Sequence, residues 1–161
     1  IDALATDSFQ VAAELANYAK ANNYDLVLTG KETINYNGSQ VGGMMAGLMD
    51  CPFISNATKL DVNGTTATIE RDKQGGIEVL EATLPCVISA AKGMAEQRIP
   101  NMRGIMAART KPLNVVAASA SETLTETVSY SLPADKGDVK LIDADNVDEL
   151  VNLLHNEAKV I

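Results

Sequence analysis

The sequence predicts an α/β fold: a parallel strand–loop–helix unit, an antiparallel meander, and a C-terminal arm plus helix. Three observations carry that reading. Leu26-Val27-Leu28 is a short apolar run between Asp25 and Gly30, with the length and composition of a buried parallel strand. A polar loop rich in Asn, Ser and Gly follows it and leads into a small-residue helix from about Gln40 to Met49. From Ser55 to Ala90 the pattern turns antiparallel, punctuated by Asn63-Gly64 and Gln74-Gly75-Gly76.

Taken in order, the first helix runs from about Ser8 to Asn22. Asp7 caps it with Gln10 three residues on, and Ala12, Leu15, Ala16 and Ala19 form its apolar stripe. In the meander, Ala57 to Val62 and Thr66 to Arg71 flank Asn63-Gly64, Ile77 to Thr83 forms a third strand, and Pro85 opens a fourth run, Cys86 to Ser89. A meander of this kind supplies packing or an interface. Ile99-Pro100 should begin a short helix, because proline is tolerated in a first turn. Leu113 to Ala118 reads as a further strand, and Ser119 to Pro133, rich in Ser and Thr, as an extended arm. Asp135 to Glu149 holds six acidic and two basic residues, a solvated turn and the negative first turn of a last helix. Asn146 and Glu149 form its capping box, and Val147, Leu150, Val151 and Leu154 its buried stripe. The expected organisation is residues 1–118 as an α/β domain and 119–161 as arm and helix.

Bulk properties exclude several classes. A chain of 161 residues that is 46% apolar can build a core of ordinary size. No stretch approaches the roughly 18–20 apolar residues of a membrane span. A net charge of -8 argues against general affinity for nucleic acid or anionic membranes. Cys51 and Cys86 lack metal-ligand spacing and read as buried free thiols, in keeping with a reducing compartment. The single histidine, His155, assembles no Ser/His/Asp or Cys/His arrangement, and neither zinc spacing nor a glycosidase-type carboxylate pair is present.

Two stretches remain as candidate sites. The loop from Gly30 to Val41 joins a strand to a helix N-terminus, where amide N–H groups lack intrahelical partners and the dipole favours an anion. Gly42, Gly43 and Gly47 leave room for a ligand or for a neighbouring backbone, and Lys31 adds charge. Neither G-x-G-x-x-G nor G-x-x-x-x-G-K-[ST] occurs, so a phosphate seat and an ordinary close-packed turn both stay open on the residues. The second stretch, Ala90 to Lys111, sets Lys92, Arg98, Arg103, Arg109 and Lys111 against Glu96 alone, with Met94, Ile99, Met102, Ile105 and Met106 between them. That composition suits an adaptable protein-binding surface, but by itself it favours a solvated helix with Met and Ile in the core.

The wording of these segments resembles one family. Gly30-Lys31-x-x-Ile34, Gln40-x-Gly42 and Ala46-Gly47-Leu48-Met49-Asp50-x-Pro52 are similar to the β subunit of electron transfer flavoproteins. Ile69-Glu70-Arg71, Gly75-Gly76-Ile77-Glu78, Leu84-Pro85-Cys86-Val87-Ile88 and Ile99-Pro100-Asn101 recur there in the same order. The resemblance covers about Tyr24 to Val116, with a weaker echo in the C-terminal helix. It implies a doubly wound, mostly parallel, Rossmann-like adenine-nucleotide-binding fold, present here incompletely. Further βα units, on the order of 100 residues, would precede the position of Ala3.

Functionally, the resemblance implies a heterodimer whose α subunit holds most of the redox-active FAD. The β subunit binds AMP structurally, or a second FAD in members that bifurcate electrons. Electrons pass from acyl-CoA or other dehydrogenases to a quinone oxidoreductase, in the cytoplasm of a bacterium or the matrix of a mitochondrion. Carried over by position, the nucleotide site is Gly30, Lys31, Ser39, Gln40, Val41 and Gly42. The partner-recognition loop, Ala90 to Arg109, centres on Arg98, Ile99, Pro100, Met102 and Arg103. Ser39-Gln40-Val41 departs from the Asn-Gln-Thr of mammalian-type members. Gln-Val-Gly looks more like the bifurcating branch, although Gly43 stands where that branch carries Pro. Asn35 and Asn37 stand where it favours acids. An adenylating enzyme and a stress-protein-type nucleotide module are the competing readings. The first would need a Ser-Gly-Gly pyrophosphate loop, which this sequence does not contain. Without catalytic residues of its own, such a subunit leaves the chemistry to a flavin.

Overall fold

The computed structural model describes residues 7–34, 37–119 and 122–161. Asn35, discussed above for loop charge, and the position of Ala3 lie outside the described residues. Two compact units divide the chain, Ile1–Glu126 and Thr127–Ile161.

The first unit is a mixed five-stranded sheet with helices packed on it. It contains α1 (Ser8–Ala21), β1 (Leu26–Gly30), α2 (Val41–Met49), β2 (Phe53–Asn63), β3 (Thr66–Lys73), β4 (Gly76–Thr83), β5 (Cys86–Ala90) and α3 (Met102–Ala108). The spatial order is β1-β5-β2-β3-β4. β5 runs parallel to β1, Leu26 opposite Cys86 through Gly30 opposite Ala90, and parallel to the start of β2, Phe53 opposite Val87. β2, β3 and β4 are antiparallel. This α/β architecture is the expected class. The run Cys86–Ser89, assigned above to the antiparallel meander, is instead the central parallel strand. Its four apolar or small residues are buried on both faces, which is how a parallel strand reads.

The long strand β2 serves both halves of the sheet. Its first residues pair with β5. A register shift between Ile54 and Ala57, where Asn56 sits at φ 59°, turns its second half onto β3. Two side-chain clusters fill the unit. Ala12, Ala16, Met45 and Ala46 of the helices bury Val87 of β5, with Val27, Val41, Met44, Leu48, Met49 and Cys51 around them. Ile54, Ala57, Ala67, Ile69, Ala82, Cys86 and Ile88 form the second, joined by Leu26, Leu60, Leu80, Leu84 and Met94. Successive residues of a strand point to opposite faces, so Val87 serves the helices while Cys86 and Ile88 serve the meander.

Several local expectations are corrected. β1 is not buried: it lies at the sheet edge and its Leu28 is exposed. Leu15 is exposed as well, because the tight α1 contact uses the small faces of Ala12 and Ala16. The first hairpin turns on Gly64-Thr65, one residue later than Asn63-Gly64, since Asn63 pairs with Thr66. Gly64 at φ +59° supplies the left-handed turn residue. α3 begins at Met102, capped by the Asn101 side chain, which accepts from the Gly104 N–H at 2.9 Å, so Pro100 precedes the helix. Leu113 to Ala118 forms no strand, only an isolated bridge at Ala117. Ser119 there is held by α1, its N–H and hydroxyl both donating to Glu14 Oε2 at 2.7 and 2.9 Å.

The second unit carries α4 (Val147–Asn152) and a π-helical turn, Leu153–Glu157. Asn146 caps α4 and donates from Nδ2 to Glu149 Oε2 at 2.6 Å. Val147, Leu150 and Val151 are exposed, against the expected buried stripe. A unit of 35 residues is too small to enclose a stripe by itself. His155 Nδ1 is hydrogen-bonded to the Ile161 carbonyl at 3.0 Å. Among the described residues no helix is long and apolar enough to cross a membrane.

Candidate functional site

The carboxyl ends of β1 and β5 meet the start of β2, and a cleft opens there. In an open parallel sheet this is where ligands bind, because loops and helix N-termini converge there. The cleft measures about 300 Å³ and is lined by Lys31, Glu32, Ser39, Phe53, Ser55, Asn56 and Ser89.

The loop from Gly30 to Gln40 builds one wall. Its neck is closed by two hydrogen bonds: Thr33 N–H donates to the Gly38 carbonyl at 2.8 Å, and Gly38 N–H to Thr33 Oγ1 at 3.2 Å. Lys31 and Glu32 form a half-exposed ion pair at 3.4 Å on the rim. Ser39 leads into α2, whose first turn has no side-chain cap. Its leading amides are therefore left to solvent or to a ligand. Asp50, in the left-handed conformation at φ 55°, ends the helix, with Cys51 N–H donating back to the Ala46 carbonyl.

The six residues expected to hold a nucleotide do not stand alike. Lys31 and Ser39 line the cleft. Gly30 closes β1 at its mouth, and Gln40 is exposed at the helix start. Val41 turns to the helix-side cluster. Gly42 is buried: a Cβ there would lie 2.7 Å from Thr29 Oγ1 and 2.9 Å from Phe53 Cε2, so its missing side chain serves close packing of α2 on β1 and β2. Gly43 likewise faces the Phe53 ring at ordinary contact, and Gly47 faces open space.

Ser55, Asn56 and Ser89 line the same cleft and went unnoticed in the sequence. They sit on β2 and β5, whose adjacency to β1 depends on the sheet order. The available signal was only that Ser89 follows the apolar run Cys86–Ile88 and that Ser55 and Asn56 follow Phe53-Ile54. Ser89 is 5% exposed, and its Oγ accepts from the Asn56 N–H at 2.9 Å. The left-handed Asn56 aims that N–H inward.

The residues expected to form a partner-recognition loop are exposed beyond its base. Met94 packs on the meander-side cluster and anchors the base of the loop. Beyond it, Arg98, Ile99, Pro100, Met102 and Arg103 are all exposed, Ile99 by 85% and Met102 by 73%. No residue of α3 is buried. The solvated helix with a buried Met and Ile face, which composition favours, is therefore not what forms. The apolar side chains are displayed to solvent among cations.

Both thiols are unpaired. Cys86 is buried, and desolvation, followed by the neighbouring Cys51, pushes its pKa up. Cys51 is only half-buried, where full burial was expected. Desolvation, then Asp50, raises its pKa against a smaller opposing effect of Lys20. Neither has the depressed pKa of a reactive thiol. Among the described residues no three His, Cys, Asp or Glu side chains gather as a metal site.

Comparison of the sequence with known proteins points to one family. The family model described as electron transfer flavoprotein domain matches residues 2–121. The electron transfer flavoprotein subunit beta of Bacillus subtilis is 37% identical over 165 residues, covering 96% of this chain and 64% of that protein. The same subunit of Syntrophomonas wolfei is 35% identical, covering 97% of this chain and 63% of that protein. The mitochondrial subunit of japonica rice is 33% identical over 94% of this chain and 60% of its own length. The chain thus spans somewhat less than two thirds of these relatives. By the extent of the match and the shared name of its relatives, this chain belongs to the family of electron transfer flavoprotein β subunits.

Proposed function

We propose that this chain is the nucleotide-holding part of an electron transfer flavoprotein β subunit, with AMP bound structurally in the cleft beside the loop from Gly30 to Val41. The observation that carries the reading is the cleft itself. It lies where the carboxyl ends of β1 and β5 meet the first residues of β2, beside an uncapped helix start, with Lys31 and Ser39 in its wall. Gly30, Gln40 and Val41 hold the loop and helix around it, and Gly42 lets α2 approach close enough to face it.

On this reading the subunit is an electron carrier without catalytic residues, and a flavin shared with an α subunit supplies the redox chemistry when bound. This chain's own residues fix the nucleotide and dock the donor. The exposed Arg98–Arg103 segment serves as the docking surface for acyl-CoA or other dehydrogenases. Ile99 is its apolar anchor, and the surrounding cations steer approach. A quinone-linked oxidoreductase is the acceptor.

A second reading places FAD in the same cleft, as in bifurcating members; Gln40-Val41-Gly42 favours it. The test is to co-purify the subunit with its α partner, denature the complex and count the released nucleotides by chromatography. One AMP and one FAD per heterodimer supports the first reading. Two FAD and no AMP moves the protein to the bifurcating class, and no nucleotide overturns both.

A further inference from the structure

Helix α1 presents polar side chains to a part of the chain far away in sequence. Asn17 follows Glu14 by one helical turn and Asp7 precedes it by two, a spacing that places the three on one helix face. Ser119 donates from its N–H and its hydroxyl to Glu14 Oε2 at 2.7 and 2.9 Å, and Asn17 Nδ2 donates to Ser119 Oγ at 2.9 Å. At the start of the helix, Asp7 Oδ2 accepts from the N–H groups of Leu124 and Thr125 at 2.7 and 2.8 Å and from Thr125 Oγ1 at 3.3 Å.

Apolar burial contributes little to this attachment. Ser119 and residues 122–125 are exposed, belong to no helix or strand, and give no member to either side-chain cluster. Amides outside a helix or sheet ladder need other acceptors, and here two carboxylates supply them. Hydrogen bonds to a charged acceptor are shorter and stronger than those to a carbonyl. Glu14 is only 6% exposed, so its carboxylate depends on such donors for the hydration it has lost. A segment held by a few bonds over little buried area opens locally, at a free-energy cost well below that of global unfolding.

We propose that Asp7 and Glu14 form a two-point latch that fastens residues 119–125 to α1, and that the latch opens as one unit while the sheet stays folded. Opening frees up to about 23 Å of extended chain, at roughly 3.3 Å per residue, so the latch sets how much free chain precedes Thr127. The two ends are coupled, because a short segment released at one end frays toward the other. The latch is independent of what occupies the cleft.

The test is amide hydrogen exchange in the whole chain, read residue by residue by NMR. Val87, whose N–H donates to the Pro52 carbonyl at 2.9 Å within the sheet, is the reference. In the parent, Ser119, Leu124 and Thr125 should be protected and should exchange together, well before Val87. Asp7→Asn keeps a capping oxygen for α1 and removes the charge. It should speed exchange of Leu124 and Thr125 roughly tenfold, the weakening of a hydrogen bond to a charged group, and of Ser119 by a comparable factor, with Val87 unchanged. Glu14→Gln should do the same from the other end. Should Glu14→Gln fail to fold, Asp7→Asn decides alone, since it leaves the helix cap in place. Faster exchange confined to the nearer end would mean two separate contacts and overturn the latch. Exchange of Ser119, Leu124 and Thr125 in step with Val87 would make the segment part of the global fold and overturn it equally, as would unprotected amides in the parent.

Discussion

Gly42 lies where α2 crosses β1 and the start of β2, with no room for a methyl group beside Thr29 and the Phe53 ring. An aromatic ring held between strand and helix cannot yield as the end of a lysine could. Gly42→Ala is therefore expected to destabilise the chain by about 1–3 kcal/mol as overpacking. Gly47→Ala, where the added carbon would meet nothing within 4 Å, should be neutral or stabilise by up to about 1 kcal/mol through helix propensity. Urea unfolding of the two variants checks the contrast. Asp7 shows a second residue-scale effect. Its Oδ1 accepts from the Gln10 N–H at 2.7 Å, and its Oδ2 accepts from the N–H groups of Leu124 and Thr125 at 2.7 and 2.8 Å. These bonds, the Gln10 bond foremost, lower its pKa against the opposing effect of desolvation. A lowered folded pKa means that its stabilisation is complete above the unfolded aspartate value of about 3.9 and is lost as pH falls through the folded value. Asp7→Asn keeps a capping oxygen but loses the charge. Melting temperature against pH should then fall less steeply below about pH 4 in the variant than in the parent.

At the scale of elements, β5 and α3 stand at opposite extremes. β5 is enclosed between β1 and β2, with helices on one face and the meander cluster on the other. Ile88, fully buried there, should cost about 2–5 kcal/mol when cut to alanine. Ile99, 85% exposed ahead of α3, should change stability by no more than about 0.5 kcal/mol under the same substitution. If the segment docks a dehydrogenase, Ile99→Ala slows electron transfer from it while nucleotide content stays constant. Equal transfer rates in parent and variant would sink the docking role. Denaturant midpoints and stopped-flow transfer rates measure the two halves of this prediction. The α3 region also shows why composition misleads. Met and Ile at helical spacing are ordinarily core, and only the absence, among the described residues, of a surface burying α3 turns them into a display.

For the whole molecule, both side-chain clusters lie in the first compact unit, Ile1–Glu126, and the segment from Thr127 has none of their members. Deleting residues 127–161 should leave a cooperative thermal transition shifted by only a few degrees, since no member of either cluster is lost. A broad or absent transition, followed by circular dichroism, would show that the segment is needed for folding. The exposed apolar residues of α4, Val147, Leu150 and Val151, point the same way, since exposed side chains add little burial to the stability of this chain.

The sequence by itself determined the α/β class, the strand–loop–helix at Leu26–Met49, the hairpins to within a residue and the caps at Asp7 and Asn146, because each rests on local chemistry: periodicity, glycine turns and short polar caps. Its serial motifs also determined the family. Tertiary structure alone decided that β5 inserts between β1 and β2, because a short run of buried apolar and small residues does not say which strands flank it. That insertion brings Ser89 beside Ser55 and Lys31 in one cleft, and the pairing of β3 on β2 lets Arg71 reach Ser55. Half of the cleft was therefore invisible along the chain: hydrogen-bond partners 16 and 33 residues apart become neighbours only when the sheet order is known.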